Sequence, residues 1–290
     1  MSAGQTLPTA LVCPGQGSQT DDMRETVERE RPDLLDAVLR EVGEDPFARV
    51  AAGTHYAQPA IYCASVAALE RLGPLEPDFY AGHSLGEFAA LVAAGSLDWA
   101  DGLRLVTLRG RLTHESGTLG GGGGMVAVLS GGREAAGPIA ERHGLTVAND
   151  NAPEQVVLSG GHAELDAALA EATAQGLRAM KLPVGGAFHS PHMAAAVPEF
   201  ERALGAVDFA RPAAPVYSGT TAEPFDDVRK RLAEGLTRPV RWREVVLALH
   251  ARGVRRFVEA GPGRVLTGLV RRTARDVEAL PLAKLEAARV

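Results

Sequence analysis

Residues 82–86 read Gly-His-Ser-Leu-Gly. The pattern is G-x-S-x-G, and with 33 glycines in the chain its flanks carry more weight than the string itself. Asp78-Phe-Tyr-Ala81 before it has the pattern of a strand, and Glu87-Phe-Ala-Ala-Leu-Val-Ala-Ala94 after it has the pattern of a helix. A strand that ends in a sharp turn and continues as a helix is the setting of a nucleophile elbow. The glycines leave room for the turn, Ser84 is lifted clear of the sheet, and the helix N-terminus favours negative charge developing beside its hydroxyl.

The rest of the chain supplies the frame such a turn needs. Ala10-Leu-Val-Cys13 is a short buried-type strand running into Pro14-Gly-Gln-Gly-Ser-Gln19. Helical patterns follow at about 21–42 and 57–72, then the elbow, then a helix at about 99–114. This alternation predicts an α/β layer with a largely parallel sheet. Gly117-Thr-Leu-Gly-Gly-Gly-Gly-Gly124 reads as a flexible linker. After it the elements shorten: strands at 125–129, 145–148, 155–159 and 179–183, and helices at 133–143 and 163–175. The turn-rich Asn149-Asp-Asn-Ala-Pro153 joins the middle two strands. That β-α-β-β-α-β order predicts a ferredoxin-like small subdomain at 121–187, inserted into a large one made of 1–120 and 188–290. Gly185-Gly186 marks the return. Helices at about 191–205 and 243–252, a strand at Phe257–Glu259 and a helix after Gly261-Pro-Gly263 complete the large part.

Composition narrows the class. The chain has 290 residues, 46% hydrophobic and 23% charged, which is ordinary for a globular protein. No apolar run approaches a membrane span, and Met1–Thr9 has no secretory pattern. Cys13 and Cys63 make neither a disulfide framework nor a metal cluster, so a reducing, cytoplasmic setting and a site without metal are expected. The net charge of −6 conceals a basic segment: from Arg229 to Arg275 there are thirteen Arg or Lys and three acids (Glu234, Glu244, Glu259). It reads either as a solvated face or as a docking face for an acidic partner. Nucleic acid fits poorly, because aromatics for stacking are few and the whole chain is acidic.

A serine nucleophile needs a base, normally histidine. His83 is adjacent to Ser84 and must point elsewhere around the turn, as a packing or secondary contact. His55, His143, His162 and His250 read as solvent-exposed, and His114 as a cation at a helix C-terminus. His189, in Gly185-Gly-Ala-Phe-His-Ser-Pro191, sits past a strand end at a chain break and is the position favoured for the base. His192 competes with it but reads as the start of a helix after Pro191. Asp98, Asp101, Asp150 and Asp166 lie between Ser84 and His189, and none stands out as a third triad member. Arg109, in Leu108-Arg-Gly-Arg-Leu112, is by default an exposed helix residue like its neighbour Arg111. Were it to face the nucleophile, its planar fork would hold a carboxylate through two parallel hydrogen bonds.

Seven ordered motifs then coincide with a known family. They are Pro14-Gly-Gln-Gly-Ser-Gln19, Gln58-Pro59-Ala60, Gly82-His-Ser-Leu-Gly-Glu87, Leu108-Arg-Gly110, Gly186-Ala-Phe-His-Ser-Pro191, Pro239-Val-Arg-Trp242 and Glu259-Ala-Gly-Pro-Gly-Arg-Val-Leu-Thr-Gly268. Over nearly its whole length the chain resembles the malonyl-CoA:acyl carrier protein transacylases and the acyltransferases of polyketide synthases. That resemblance implies ping-pong transfer of malonyl from coenzyme A, through Ser84, to the pantetheine thiol of an acyl carrier protein. It implies a hydrolase-like large subdomain with a mostly parallel sheet carrying the ferredoxin-like small one, and fatty acid or polyketide assembly would be the setting. It implies His189 as the base, the N–H groups of Gln16 and Leu85 as an oxyanion hole, Arg109 as the clamp on the malonyl carboxylate, and Gln58 and His83 in the pocket. It also implies that a main-chain carbonyl shortly before Pro239, here at Gly235, orients the imidazole in place of a carboxylate. Phe188 resembles the malonyl-selecting form of its motif. Carrier proteins are acidic along the helix that presents pantetheine, so Arg264, Arg271, Arg272 and Arg275 are expected to dock one. No cofactor is implied: coenzyme A is part of the substrate and phosphopantetheine belongs to the partner. A monomer is expected. Three alternatives stay open: the same fold moving another acyl group, an editing acyl hydrolase, and a non-catalytic docking subunit.

Overall fold

The computed structural model describes residues 7–119 and 122–287. In chain order the elements are β1 (Thr9–Cys13), α1 (Met23–Glu30), α2 (Pro32–Val42), α3 (Thr54–Leu69), β2 (Phe79–Gly82), α4 (Gly86–Ala93), α5 (Trp99–Leu119), β3 (Gly124–Val128), α6 (Gly132–Arg142), β4 (Thr146–Ala152), β5 (Gln155–Gly160), α7 (His162–Ala174), β6 (Ala179–Lys181), α8 (Val197–Gly205), β7 (Val216–Tyr217), α9 (Val228–Glu234), α10 (Trp242–Ala251), β8 (Arg256–Glu259), α11 (Val265–Thr273), β9 (Glu278–Pro281) and α12 (Leu282–Ala287).

Two sheets organise them. The first has the order β7-β2-β1-β8-β9 with every pair parallel. Side chains alternate across a strand, so β1 buries Leu11 and Cys13 in one core and Ala10 and Val12 in the other. The first core is closed by α3, α4 and α5, the second by α10 and α11. Both faces are covered, as a parallel sheet requires. The second sheet is antiparallel, in the order β4-β5-β3-β6. One face packs on α6 and α7 through Val126, Val128, Val156 and Leu158. The other presents Met125, Ala127, Ala148 and Val157 towards Leu182, Val184 and Phe188. The α/β class with a ferredoxin-like second sheet is therefore what the structure contains.

Several local expectations need correction. The helix expected at 21–42 is two, because Pro32 bars a continuous ladder and Arg31 leaves helical geometry at φ −146°, ψ 69°. The helix expected at 57–72 begins at Thr54 and ends at Leu69. The supposed linker shrinks at both ends. Gly117 lies inside α5 and Gly124 opens β3, while Gly120 and Gly121 lie outside the described residues. A Cβ on Gly117 would overlap the Gly185 carbonyl, so this glycine serves a close backbone crossing between the two connections and not slack. Asn149–Asn151 belongs to β4, not to a turn. Long-range pairing overrides their turn chemistry: the Asp150 N–H donates to the Val240 carbonyl at 2.9 Å and the Val240 N–H to the Ala148 carbonyl at 2.8 Å. Four short elements, β7, α9, β9 and α12, carried no pattern long enough to read.

Candidate active site

The loops after β1 and β2 meet at the C-terminal edge of the parallel sheet, where crevices of such sheets open. Gly82 and Gly86 make the turn possible. A Cβ on Gly86 would overlap the Cys13 carbonyl, and one on Gly82 would overlap the backbone of Gly86 and Glu87. Between them Ser84 adopts φ 53°, a left-handed conformation unusual for any residue but glycine. His189 is in the same region at φ 57°. Two of the three non-glycine residues with positive φ among the described residues are thus the expected nucleophile and base, and strain of this kind gathers at functional sites.

The two side chains meet. Ser84 Oγ lies 2.9 Å from His189 Nε2. His189 Nδ1 donates to the Gly235 carbonyl at 2.8 Å, which leaves Nε2 as the acceptor for the serine hydroxyl. Burial, then the nearby Arg109 charge and His83, push the His189 imidazole down to about 3, so it is neutral at physiological pH. None of the four aspartates approaches it. Asp98 caps the start of α5, Asp101 pairs with Arg104, Asp166 with Lys181, and buried Asp150 takes a two-pronged bond from Arg243.

Arg109 is not an exposed helix residue. It is 7% exposed, and its Nη2 donates to Ser84 Oγ at 2.9 Å and its Nη1 to Gln58 Oε1 at 2.6 Å. Burial lowers the guanidinium to about 10, opposed by the Glu87 carboxylate, and it stays charged. Arg111 is exposed as expected, pairing with Glu115 and Glu199. Gln58 is fixed by donating to Thr54 Oγ1 (2.9 Å) and Thr113 Oγ1 (3.2 Å), and Thr54 in turn donates to Gln16 Oε1 at 2.8 Å. A continuous hydrogen-bonded chain therefore runs from Gln16 through Thr54, Gln58, Arg109, Ser84 and His189 to Gly235. In the elbow the N–H groups of Gly86 and Glu87 are engaged by the His83 and Ser84 carbonyls, both at 3.0 Å. Gln16 and Leu85 line the cleft beside Ser84.

That cleft holds about 300 Å³. Its floor is the serine turn, and its roof is the helix-free face of the antiparallel sheet, with Met125, Ala127 and Val157 pointing in. Phe188 and Leu236 stand on its wall. His83 does turn away from Ser84: its Nε2 is 2.8 Å from Asn151 Oδ1 and its ring lies against Trp242. Asn149, Asn151 and Gln155 also line the cleft and went unnoticed in the sequence. The polar run Asn149-Asp-Asn151 is their sequence signal, and its turn-forming residue types hide its strand character.

The histidines expected in solvent are mostly partnered. His143 bonds Glu171, His250 bonds Asp276, and His55 stacks on His114 at 4.0 Å, while His162 is exposed. His114 lies inside α5, more than a turn before its end, so no helix-terminus argument applies to it. His192 does begin a 3₁₀ turn after Ser190, exposed and outside the hydrogen-bonded chain. Much of the basic segment is neutralised by acids beyond it or within it: Arg231 by Asp226 and Glu234, Arg241 by Glu244, Arg243 by Asp150 and Arg256 by Glu278. Arg264, Arg271, Arg272 and Arg275 remain exposed at α11 and just past it. Of these, Arg271 donates to the Ala279 carbonyl and Arg272 to that of Gly268. Beside Arg264, Val265 is 42% exposed at the cleft mouth. Among the described residues no group of three or more His, Cys, Asp or Glu could hold a metal ion, and no helix is long and apolar enough to cross a membrane.

Comparison with known proteins shows the family and the fold. The family described as acyl transferase domain matches residues 33–287. The polyketide biosynthesis malonyl CoA-acyl carrier protein transacylase PksC of Bacillus subtilis is 37% identical over 288 residues, covering 93% of this chain and 98% of its own. The crystal structure of the malonyl-CoA:acyl carrier protein transacylase of Xanthomonas oryzae superposes with a TM-score of 0.89 at 34% identity, over 98% of both chains. A malonyl-transacylase solved in complex with its type II polyketide synthase acyl carrier protein superposes at 0.85 with 33% identity, over 94% of this chain and 95% of that one.

Proposed function

The chain belongs to the acyl transferase domain family, and on that premise we propose that it moves a malonyl group from coenzyme A to the pantetheine thiol of an acyl carrier protein through an ester on Ser84. One observation carries the reading: a single serine hydroxyl lies 2.9 Å from an imidazole nitrogen and 2.9 Å from a buried guanidinium. The imidazole makes the hydroxyl a nucleophile. The guanidinium has no task in the hydrolysis of a neutral ester, and it suits an acyl group that ends in a carboxylate.

In the first half-reaction Ser84 Oγ attacks the thioester carbonyl while His189 Nε2 takes its proton. The Gly235 carbonyl, accepting from Nδ1, holds the ring and supports the imidazolium. The N–H groups of Gln16 and Leu85 face the tetrahedral oxygen. The coenzyme A sulfur leaves with the proton from His189. In the second half the carrier thiol gives its proton to His189, its sulfur attacks the ester, and Ser84 recovers the proton. Arg109 exchanges its contacts with Ser84 and Gln58 for the malonyl carboxylate, and Phe188 crowds the acyl α-carbon. The apolar roof limits water at the ester.

No resident cofactor is required, and one chain supplies every residue of the site. A cytoplasmic location, where Cys13 and Cys63 stay reduced, belongs to the same proposal. The test offers the protein a panel of acyl-CoAs and reads the mass added to the Ser84 peptide, then adds a holo carrier protein. Malonyl is expected to load best and to leave for the carrier. Faster release of free malonate than of malonyl-carrier would favour a hydrolase.

A further inference from the structure

We propose that Glu87 is a positioning residue of this reaction: its buried carboxylate joins the serine turn to the segment that orients His189, and it balances the Arg109 charge that opposes proton transfer to the imidazole. The inference rests on the reaction proposed above. It concerns a residue that does not touch the cleft.

Glu87 follows Ser84 by three positions, in the first turn of α4, and is 4% exposed. Its N–H donates to the Ser84 carbonyl at 3.0 Å, which ties it to the elbow. Its Oε1 accepts the Gly219 N–H at 2.7 Å across 132 residues of sequence. Gly219 is a junction, because its own carbonyl accepts the Arg241 N–H at 2.7 Å. The segment 235–241, which ends at Arg241, begins with the carbonyl that accepts the hydrogen bond of His189 Nδ1–H and continues into Val240, which pairs with β4. One carboxylate thus stands between the strand-turn-helix carrying the nucleophile and the segment carrying the orienting carbonyl. The separation of Ser84 and His189 depends on both.

The second half of the argument is electrostatic. In a serine-histidine-aspartate triad a carboxylate supports the imidazolium. Here the partner of His189 is a neutral carbonyl, and the nearby charge is Arg109, which disfavours protonation of the ring. Glu87 is the buried anion that interacts with Arg109. While ionised it cancels part of the field that the imidazolium must form against.

On the elements packed against α4, Asp101 pairs with Arg104 and Arg111 with Glu115 at the surface, and His55 lies against His114, while the groups buried there keep a single charge state. Burial pushes up the Cys13 thiol on β1, the Cys63 thiol and Tyr62 phenol on α3, and the Tyr80 phenol on β2, so all are neutral. Burial pushes His83 and His189 down, so these are neutral too, and Arg109 on α5 keeps its charge. Burial raises Glu87 itself to about 7, against the Gly219 N–H and the Arg109 charge, which favour its ionised form. Above that pH it is a carboxylate and below it an acid, so its charge is lost on acidification through neutrality.

The experiment measures single-turnover acylation of Ser84 by malonyl-CoA from about pH 5.5 to about pH 9, for the wild type, Glu87→Gln and Glu87→Asp. The wild-type rate should fall about tenfold on acidification, with an inflection near neutrality. Glu87→Gln keeps an acceptor for Gly219 but no charge, and should run about tenfold below the wild-type plateau with no inflection. Glu87→Asp should keep one. A wild-type profile flat through neutrality overturns the inference, whether or not the variants fold. So does an inflection that survives in Glu87→Gln. Absence of a Ser84 ester at every pH would overturn the reaction itself, and this inference with it.

Discussion

Ser84, His189 and Arg109 form a chain in which each group fixes the protonation or direction of the next. Arg109 is the member whose loss is most selective. Arg109→Ala removes a buried, charge-assisted fork worth several kcal/mol, so malonyl loading should fall about 100-fold, and loading of an acyl group without a carboxylate much less. Mass spectrometry of the Ser84 peptide separates the two, and equal losses would remove Arg109 from substrate selection. A second consequence follows from the buried imidazole. His189 titrates near 3 in the folded chain and near 6.5 when unfolded. Between those values the unfolded chain binds more protons, so this contribution is complete above about pH 6.5 and is lost as pH falls towards about 3, by up to about 1.4 kcal/mol per pH unit. Glu87 acts in the opposite sense between its unfolded value of 4.5 and its folded value of about 7. His189→Gln should therefore lose less stability than the wild type between about pH 6.5 and about pH 4.5, read as a smaller drop in urea midpoint. Ser84 was legible because two glycines and a strand-helix junction announce an elbow. Arg109 was not legible from its own sequence, since Arg111 two positions away looks the same. Only helix phase separates the buried arginine from the exposed one, and the family motif, not composition, singled it out.

At the scale of elements, the crossing of the two connections between the sheets sets how the antiparallel sheet sits over the serine turn. Gly117 in α5 touches the backbone of Gly185 and Gly186, and Phe188 follows directly. Gly117→Ala should cost about 1–3 kcal/mol, the usual penalty for overfilling a tight contact, and should lower the denaturant midpoint. An unchanged midpoint would restore the slack linker suggested by the glycine run. On the opposite side β4 is held by its bridge to Val240 and by the Arg243–Asp150 pair. The main strands and helices were readable because apolar runs of helical or strand length alternate with glycine- and proline-rich breaks. The short β7 and β9, the strand character of Asn149–Asn151 and the helix α9 were not, because each is decided by residues far away in the chain. For the same reason the Gly235 carbonyl, at the end of α9, could be placed only by resemblance.

For the whole molecule, the cleft lies between the two sheets and its mouth is edged by α11, where Arg264 and Val265 are exposed and where Arg271, Arg272 and Arg275 follow. A carrier protein with acidic residues around its pantetheine should be steered by these charges, an effect that salt screens. Transfer from Ser84 to the carrier should slow as salt is raised, while loading from coenzyme A changes less; equal sensitivity of the two half-reactions would remove the docking role from α11. The net charge of the basic segment overstated this patch, since a linear count does not see Asp226, Asp150 and Glu278 folding back onto Arg231, Arg243 and Arg256. The most direct measurement of the central claim is malonyl exchange between coenzyme A and a holo carrier protein, catalysed by the wild type and by folded Ser84→Ala. The account predicts a malonyl ester on Ser84 in the wild type alone, and an exchange rate reduced at least about 1,000-fold in the variant. Undiminished exchange by Ser84→Ala would contradict it.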